Sequence, residues 1–375
     1  MENVAALKGI DVSTLTPIVR IALQLDAFEI QIWNVRQLGG GVGNPVSVGL
    51  YCFEGDGQAQ GEQRSWSIVL KIIQSPANVG QAELGGGDDP AHWNYWKREP
   101  LLYQSGLLDS LPAGMVAPRC YGVVEQPGNI IWLWLEDIVD VEEGKWSLER
   151  YALAARHFGQ MNGHFAMQTA WMRSPWLSRG RFDEWIKIIP WGSTLWEHPL
   201  VCNRYPDPQR NTFHRMLLER ERFLSKLDLL PKTICHGDTY PTNFMSRRLP
   251  NGQQQTVVLD WALTSVTALG EDLGQIIYGA QNNLKDTDPK DVDRALFESY
   301  LDGLRDSGFS FDPQRVRFAL AVSSALQVGL FQLFLFNEQL KQSDLVVEPY
   351  LEDANRPDCY EVVMANEAFR LLDGI

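Results

Sequence analysis

The sequence predicts an α+β fold in which a small antiparallel sheet is followed by a larger, mostly helical region. The first third of the chain alternates apolar runs with glycine-rich breaks, which is typical of a twisted antiparallel sheet. From about Trp146 onward, apolar residues recur at helical spacing. The 375 residues, of which 45% are hydrophobic, are enough for two lobes with separate cores. We therefore expect an N-terminal lobe at 1–137 and a C-terminal lobe at 138–375, with a cleft between them.

The N-terminal lobe is expected to contain four strands and one helix. Apolar runs bounded by turn residues mark the strands, and helical spacing after a polar, glycine-rich loop marks a helix at 92–108. In the C-terminal lobe the same spacing marks four longer helices. The predicted strands are 30–37, 46–54, 67–73 and 130–135, and the predicted C-terminal helices are 148–167, 212–227, 292–306 and 313–336.

Residues 318–336 are apolar over about the length that spans a bilayer. Four polar side chains interrupt the stretch and would need partners in lipid. Helices that are apolar nearly all round are usually core helices of a folded domain. We therefore predict a buried helix of the C-terminal lobe and no membrane contact. The four polar residues are Ser323, Ser324, Gln327 and Gln332.

The charge and the cysteines restrict the partners and the compartment. A formal net charge of -14 repels nucleic-acid backbones, so we expect no nucleic acid and favour a small molecule that is neutral or cationic. The five cysteines are scattered and show no C-x-x-C spacing, which indicates reduced thiols. The N-terminal residues include acids and polar side chains where a secretory signal would need a basic start and an apolar run. These features predict a cytoplasmic protein.

The strongest chemical signal is a loop with the order H-G-D-x-x-x-x-N, which contains His236, Asp238 and Asn243. An apolar strand that ends at Asp260 follows it, through a hairpin indicated by the turn residues at 250–252. Asn243 and Asp260 are then expected side by side at the mouth of the hairpin, where they offer oxygen ligands to a hard cation such as Mg²⁺. Asp238 has no obvious cation partner nearby in the sequence. It is left to orient an acceptor hydroxyl and take its proton.

Lys71 is a charged residue inside the otherwise apolar predicted strand at 67–73. Burial of its ammonium would be costly without a partner. The residue therefore either has an acidic partner in a functional site or lies on an edge strand, where a lysine discourages aggregation. One strand earlier, the glycines at 39–43 either form a simple hairpin turn or offer backbone N–H groups to an anion.

The H-G-D loop and the strand after it resemble a known family. The order H-G-D-x-x-x-x-N, apolar strand and Asp260-Trp261 is similar to the catalytic loop and the metal-binding aspartate of the aminoglycoside phosphotransferase and choline kinase-like superfamily. That superfamily has a two-lobed, protein kinase-like fold. Residues 270–274 are similar to a further segment of the family, with Gly274 in place of the usual alanine. The resemblance implies that Asp272 braces the catalytic loop.

The resemblance extends to the predicted N-terminal lobe and implies a nucleotide site. Residues 38–46 are similar to the family's glycine turn, although Gly43 stands where the family often has serine. Lys71 is similar to the lysine that holds the α- and β-phosphates, with Glu99, or alternatively Glu83, as its ion-pair partner. The residues implied to contact the phosphates or to support that contact are Gly40, Gly41, Val42, Gly43, Lys71 and Glu99.

The strand predicted at 130–135 is similar to the strand that leads into the interlobe hinge of the family. The resemblance implies that backbone groups of Leu135, Glu136 and Asp137 meet the adenine edge. The side chains of Glu136 and Asp137 are equally compatible with a solvated strand end.

Histidines and tryptophans of the helical region have two interpretations. His157 and His164 lie two helical turns apart, too far for a shared metal, so we interpret them as core or surface residues. Five tryptophans between Trp171 and Trp196 either pack in the core or form a stacking or cation-π site for an amine-bearing acceptor. We interpret His236 as a structural member of its loop, because the resemblance assigns the proton to Asp238.

These features predict a kinase that uses ATP and Mg²⁺ to phosphorylate a hydroxyl of a small molecule. Asp238 is the predicted base, and Asn243 and Asp260 are the predicted metal ligands. A catalytically silent nucleotide-binding scaffold of the same fold is the alternative. A protein kinase fits less well, because H-G-D lacks the arginine of H-R-D and because residues 260–262, Asp-Trp-Ala, are not D-F-G. The sequence does not indicate the acceptor.

Overall fold

The computed structural model describes residues 7–39, 44–80, 89–143, 146–188, 193–341 and 359–375. The chain forms two compact units. The first comprises Met1–Gly144 and Phe244–Leu263, and the second comprises Lys145–Asn243 and Thr264–Ile375. An antiparallel sheet dominates the first unit and helices dominate the second, so the predicted α+β class is confirmed.

All four predicted strands are present, and most are longer than predicted. The main sheet of the first unit has the order β1-β2-β3-β6-β5, and every neighbouring pair is antiparallel. Strand β5 was not predicted from the sequence. The strands are β1 (Glu29–Leu38), β2 (Ser47–Ala59), β3 (Glu62–Gln74), β4 (Met115–Val116), β5 (Cys120–Gln126), β6 (Ile130–Glu136), β7 (Lys232–Cys235), β8 (Phe244–Arg248), β9 (Gln254–Val258) and β10 (Ser265–Ala268).

Helices form most of the second unit, and the described residues of the first unit include two α-helices. The helix predicted at 212–227 is divided at Glu219, whose carboxylate pairs with Arg215 and Arg222. The helices are α1 (Val12–Leu23), α2 (Arg98–Ser105), α3 (Leu148–Met167), α4 (Phe182–Ile188), α5 (Ser193–Trp196), α6 (Pro199–Arg204), α7 (Gln209–Leu218), α8 (Arg220–Asp228), α9 (Leu273–Asn283), α10 (Pro289–Asp306), α11 (Pro313–Lys341) and α12 (Tyr360–Leu371).

Both faces of the main sheet are buried, which places Lys71 in the interior. Successive residues of a strand point to opposite faces. Phe53 of β2 packs with the unpredicted helix α1, whereas Cys52 packs on the other face with Val69. Lys71 has the same parity along β3 as Val69 and therefore lies on that second face, together with Trp96.

Helix α2 is shorter than the predicted helix at 92–108, and Pro100 explains why. Proline has no N–H to donate and its ring clashes with the carbonyl four residues earlier, so the first turn of a helix is the position that accommodates it without loss of a hydrogen bond. The helix accordingly begins at Arg98, and the preceding residues form local turns, in which the Asn94 N–H donates to His92 Nδ1.

The hairpin of β8 and β9 groups with the first unit, although it follows the H-G-D loop of the second unit in the sequence. Strand β9 pairs in parallel with β4, which aligns Met115 with Thr256. The Ser246 N–H also donates to Asp140 Oδ1 at 2.8 Å, and the Val141 N–H donates to the Ser246 carbonyl at 3.0 Å. These contacts place 138–144 and 244–263 in the first unit, where the sequence placed the boundary at residue 137.

Helices α3 and α10 of the second unit approach each other closely at two glycines. A Cβ atom on Gly159 would lie 2.1 Å from the Tyr300 carbonyl oxygen, and one on Gly303 would lie 1.9 Å from the Arg156 carbonyl oxygen. Only glycine allows this distance between the two backbones. The packing fixes the position of α3, which contributes Asn162 to the contacts around the H-G-D loop.

Helix α11 has the length and composition to cross a membrane over Pro313–Asn337, but 83% of its most apolar window is buried inside the protein. The Ser323 hydroxyl donates to the Ala319 carbonyl within the helix, and Ser324 contacts the Tyr360 hydroxyl of α12. The burial is that of a core helix, as the sequence predicted.

Candidate active site

The Lys71 ammonium lies between two carboxylates of the first unit. Its Nζ is 2.6 Å from Glu99 Oε2 and 2.8 Å from Asp260 Oδ1. The predicted ion pair with Glu99 is therefore confirmed, whereas the contact with Asp260, 189 residues away, was not predicted. The edge-strand interpretation of Lys71 is wrong, because β3 lies between β2 and β6 in the sheet. The alternative partner, Glu83, lies outside the described residues.

The three charges of this cluster depend on one another. Burial lowers the pKa of Lys71, but Asp260 and Glu99 more than compensate, and the pKa lies above its usual value. Burial raises the pKa of the Glu99 carboxyl, and Lys71 opposes that shift. Glu99 is only 2% exposed, whereas the Asp260 side chain is 37% exposed. Two carboxylates against one ammonium leave an excess of negative charge, and the accessible carboxylate can receive a cation.

Asp260 has a backbone conformation that is uncommon for a residue with a side chain. Its φ of 56° lies in the left-handed region. The next residue is held on both sides, since the Trp261 N–H donates to Glu99 Oε1 at 3.2 Å and its indole donates to the Val258 carbonyl at 2.8 Å. Glu99 therefore binds Lys71 with one oxygen and the segment after Asp260 with the other.

The H-G-D loop follows β7 in the second unit and is braced by Asp272. Gly237 has a φ of 84°, which a residue with a side chain would rarely adopt. The buried Asp272 carboxylate accepts the N–H groups of His236 and Gly237, each at 3.0 Å. Asp272 thus has the bracing role that the resemblance implied.

Asn162 of α3 is a second brace, and the sequence analysis missed it. It is fully buried and its Nδ2 donates to the Ile234 carbonyl at 3.0 Å and to Asp272 Oδ2 at 3.2 Å. Its Oδ1 accepts the Tyr300 hydroxyl of α10 at 2.7 Å. The signal available in the sequence was the Asn162 amide itself, next to Met161 in an amphipathic helix. At a buried position such a polar group needs partners.

Asp238 and Asn243 are brought together in the second unit. Asn243 Nδ2 donates to Asp238 Oδ2 at 3.0 Å and to the Asp238 carbonyl at 2.9 Å. Both bonds use the amide nitrogen, so the amide oxygen, which a hard cation prefers, is not involved in them. Asp260 belongs to the first unit, and the predicted pairing of Asn243 with Asp260 stays a prediction.

Arg181 lies beside the H-G-D loop. The fold therefore supplies the loop with a cation that the sequence around Asp238 does not contain. Its guanidinium donates to the Gly237 carbonyl and lies over the Trp185 ring, 5.0 Å from the centroid. Burial lowers the pKa of Arg181, and the charge of Asp238 opposes that shift. The sequence analysis missed this residue, which precedes the loop by 56 positions.

The predicted adenine-binding residues lie at the end of β6. Leu135 is buried, and the Glu136 N–H donates to the Arg119 carbonyl at 2.8 Å. The Glu136 carboxylate pairs with Arg119 and Arg247, which together with hydrogen bonds lowers its pKa although burial alone would raise it. Glu136 is therefore not a solvated strand end. Asp137 accepts the Cys52 thiol, with Sγ 3.6 Å from Oδ2.

The predicted phosphate-binding turn, Gly40 to Gly43, lies outside the described residues. Its two interpretations, a hairpin turn and an anion site, are therefore both predictions. The structure describes the strands on either side of it, β1 and β2, which pair from Leu38 with Leu50 onward.

Within the residues that the structure describes, no group of three or more histidine, cysteine, aspartate or glutamate side chains is placed to hold a metal. His157 is buried and its pKa is lowered to about 4, mainly by burial, so it is neutral near pH 7. His164 contacts Gln168 on its own helix. The partly exposed Asp260 carboxylate fits a magnesium ligand on chemical grounds, since Mg²⁺ usually takes only one or two protein ligands and completes its shell with water and substrate phosphates.

The tryptophans between Trp171 and Trp196 serve different purposes where they are described. Trp196 is buried among Tyr205 and Phe213 and stacks on His214 at 4.8 Å, which is core packing. The Trp185 ring stacks with the Arg181 guanidinium, so the cation in this cation-π contact is a side chain of the protein. Trp191 lies outside the described residues.

The segment that contains the H-G-D loop, Asp260 and Asp272 also matches a family model. Residues 150–318 match the phosphotransferase enzyme family. The match covers less than half of the chain and includes the motifs on which the resemblance to the aminoglycoside phosphotransferase and choline kinase-like superfamily was predicted. Among curated proteins, no sequence matches the chain.

The chain is also similar to solved structures of kinases. The chain is similar to spectinomycin phosphotransferase, APH(9)-Ia, with 13% identity, 97% and 99% coverage of the two chains and a TM-score of 0.54. It is similar to amicoumacin kinase hAmiN with 14% identity, 100% and 96% coverage and a TM-score of 0.51. It is similar to a choline kinase of Cryptosporidium parvum with 12% identity, 91% and 90% coverage and a TM-score of 0.50. At these identities the likeness establishes the kinase-like fold alone.

Proposed function

We propose that this protein is a small-molecule kinase that transfers the γ-phosphoryl group of ATP to a hydroxyl group. The observation that carries the proposal is the Lys71 ammonium, held between Glu99 and the more exposed Asp260. Phosphoryl transfer depends on positioned charges more than on covalent chemistry by the protein. A fixed ammonium beside an accessible carboxylate is suited to a magnesium triphosphate.

The residues of the first unit bind the donor in this proposal. Lys71 contacts the α- and β-phosphates, Asp260 is a magnesium ligand, and the glycines at 40–43 offer N–H groups to the phosphates. Phosphate oxygens must compete with Asp260 for the Lys71 ammonium, since the Lys71 and Asp260 side chains are in contact. The magnesium ion, when bound, neutralises charge on the transferred group.

Backbone groups near the end of β6 meet the adenine in this proposal. The Glu136 N–H already donates to the Arg119 carbonyl. An adenine edge therefore uses carbonyl groups of Leu135 or Glu136, or an N–H group from Asp137 onward.

The residues of the second unit act on the acceptor in this proposal. The Asp238 carboxylate orients the hydroxyl and receives its proton while the acceptor oxygen forms a bond to phosphorus and the bond to the ADP oxygen breaks. Asn243 orients Asp238 through Nδ2 and offers its amide oxygen to magnesium. Asp272, Asn162 and Arg181 keep the loop in place through its backbone.

The experiment measures ADP release from ATP and Mg²⁺ across a panel of hydroxylated small molecules. Asp238→Asn is expected to retain ATP binding and to lower turnover by about 10²- to 10⁴-fold, the usual scale for a positioned base. Asp228→Asn, at an exposed carboxylate of the same unit, is the control and is expected to change neither. Undiminished turnover in Asp238→Asn would remove Asp238 from the mechanism.

A thermal-shift titration, combined with the ADP-release assay, separates the kinase from the silent scaffold. Both require that ATP with Mg²⁺ stabilises the protein, by an amount that grows with ligand concentration. The scaffold predicts stabilisation without ADP release for every acceptor, and equal behaviour of Asp238→Asn and the wild type. Absence of any stabilisation by ATP would contradict both functions.

A further inference from the structure

Arg98, the first residue of α2, is a buried cation that no motif of the sequence singled out. Its side chain is 0% exposed. Arginine is almost never fully buried unless its N–H groups are satisfied, because desolvation of the guanidinium is costly. Burial lowers its pKa to about 10, so it is still charged near pH 7. Its hydrogen-bond partners therefore indicate what the residue does.

The guanidinium binds backbone carbonyls of two separate segments. On the side that precedes α2, it donates to the carbonyls of Trp93 at 2.6 Å and His92 at 2.5 Å. On the other side, Nη1 donates to the Ala262 carbonyl at 3.1 Å, across 164 residues of sequence. The planar fork of an arginine suits this arrangement, because its five N–H groups have fixed directions.

The Ala262 carbonyl belongs to the turn that follows Asp260. The left-handed φ of Asp260 is an uncommon conformation that persists where the surroundings hold it. Two adjacent residues of α2 supply such restraint. Glu99 accepts the Trp261 N–H at 3.2 Å, and Arg98 donates to the Ala262 carbonyl. The segment is thus held through one donor and one acceptor on consecutive residues.

We propose that Arg98 is a positioning residue that fixes the direction of the Asp260 carboxylate through the backbone of the segment after it. The inference rests on the proposed function, in which Asp260 is a magnesium ligand. Without the bond to Ala262, the Asp260 backbone relaxes toward an ordinary negative φ and the carboxylate turns away from Lys71. Partners that orient a metal ligand typically change metal affinity about 10- to 100-fold when they are removed.

The first measurement needs no ligand. Hydrogen exchange of a peptide covering 258–263 is compared in the wild type, Arg98→Lys and Lys97→Met. Arg98→Lys keeps the charge but lacks the fork, and we expect about tenfold faster exchange in this segment, the scale of one lost hydrogen bond. Lys97→Met removes a neighbouring charge that lies over the Trp96 ring, and we expect it to leave the exchange unchanged.

The second measurement is ATP binding by calorimetry, with Mg²⁺ and with a chelator. We expect Arg98→Lys to weaken binding about tenfold in Mg²⁺ and not to weaken metal-free binding, since Lys71 still contacts Glu99 and Asp260 competes less with phosphates for its ammonium. Excess Mg²⁺ should restore part of the loss. A general structural defect would instead weaken both affinities equally. If Arg98→Lys does not fold, Arg98→Gln replaces it, since glutamine leaves no mismatched cation in the core.

The two ideas fail in different ways. Unchanged exchange at 258–263, or an equal loss of affinity with and without Mg²⁺, overturns the role of Arg98. Absence of ATP binding by the wild-type protein overturns the proposed function, and the exchange measurement then still decides whether Arg98 holds the segment.

Discussion

Replacement of Lys71 by methionine isolates the charge balance at the centre of the first unit. Methionine has a similar length and no charge, so Lys71→Met removes the ammonium that contacts Glu99 at 2.6 Å and Asp260 at 2.8 Å. Asp260 is 37% exposed and regains water, whereas Glu99, at 2% exposure, does not. The loss of folding free energy therefore comes mainly from the Glu99 carboxylate, which stays buried without its cation.

The expected loss of stability follows from this burial. Removal of one partner of a buried ion pair typically costs about 3–5 kcal/mol, because the other charge is left uncompensated. Uptake of a proton by Glu99 limits the cost, so we expect Lys71→Met to lower the free energy of unfolding by about 3 kcal/mol at pH 7. The double variant Lys71→Met/Glu99→Gln carries no such charge and should recover about 2 kcal/mol of that loss.

The pH dependence of the single variant has a defined sign. Burial already raises the folded-state pKa of Glu99 above its usual 4.5, and in Lys71→Met the lysine no longer opposes that shift. Between pH 4.5 and the raised pKa, the folded protein keeps a proton that the unfolded chain has lost. The stability contributed by this group is therefore complete below pH 4.5 and is lost as the pH rises through the folded pKa, by at most about 1.4 kcal/mol per unit.

Urea unfolding followed by circular dichroism at pH 5, 6, 7 and 8 measures the free energy of unfolding. The proteins compared are the wild type, Lys71→Met, Glu99→Gln and the double variant. Relative to the wild type, Lys71→Met should become more stable as the pH falls from 8 to 5, and the double variant should not. A stability of Lys71→Met within about 1 kcal/mol of the wild type at pH 7 would refute the reasoning, since an uncompensated buried carboxylate costs more. Destabilisation on acidification, relative to the wild type, would refute the assigned pKa direction.

Two further predictions concern the loop of the second unit. Asp272→Asn places an NH₂ group against one of the two backbone N–H donors, His236 or Gly237, and removes the charge that both receive. We therefore expect a loss of about 2–3 kcal/mol in unfolding free energy and of most turnover. Exposed Asp302→Asn should stay within about 0.5 kcal/mol of the wild type, and equal stabilities of the two variants would contradict the bracing role. Arg181→Gln should lower turnover about tenfold and leave ATP binding unchanged, because the Gly237 carbonyl loses a charged donor. The same substitution at exposed Arg179 is the control. Equal turnover of the two variants would exclude Arg181 from positioning the loop.

Local pattern was sufficient for the longer elements and for the identity of the main charged residues. Apolar periodicity predicted four of the five strands of the main sheet and helix α3, because burial on one face imposes it. Lys71 stood out because an ammonium in an apolar strand needs an acidic partner, and that partner is Glu99. The order H-G-D-x-x-x-x-N identified the loop that Asp272 braces.

The sequence alone determined which residue types are proposed to carry the chemistry and in what order, because those follow from spacing and from what each side chain can bind. Only the tertiary structure decided which partners hold them: Asp260 on Lys71, Arg98 on Ala262 and Arg181 on Gly237. These contacts join residues from 56 to 189 positions apart, and most end on a backbone carbonyl that every residue type offers. A carbonyl leaves no signature in the sequence, so its donor is visible only once the chain has folded.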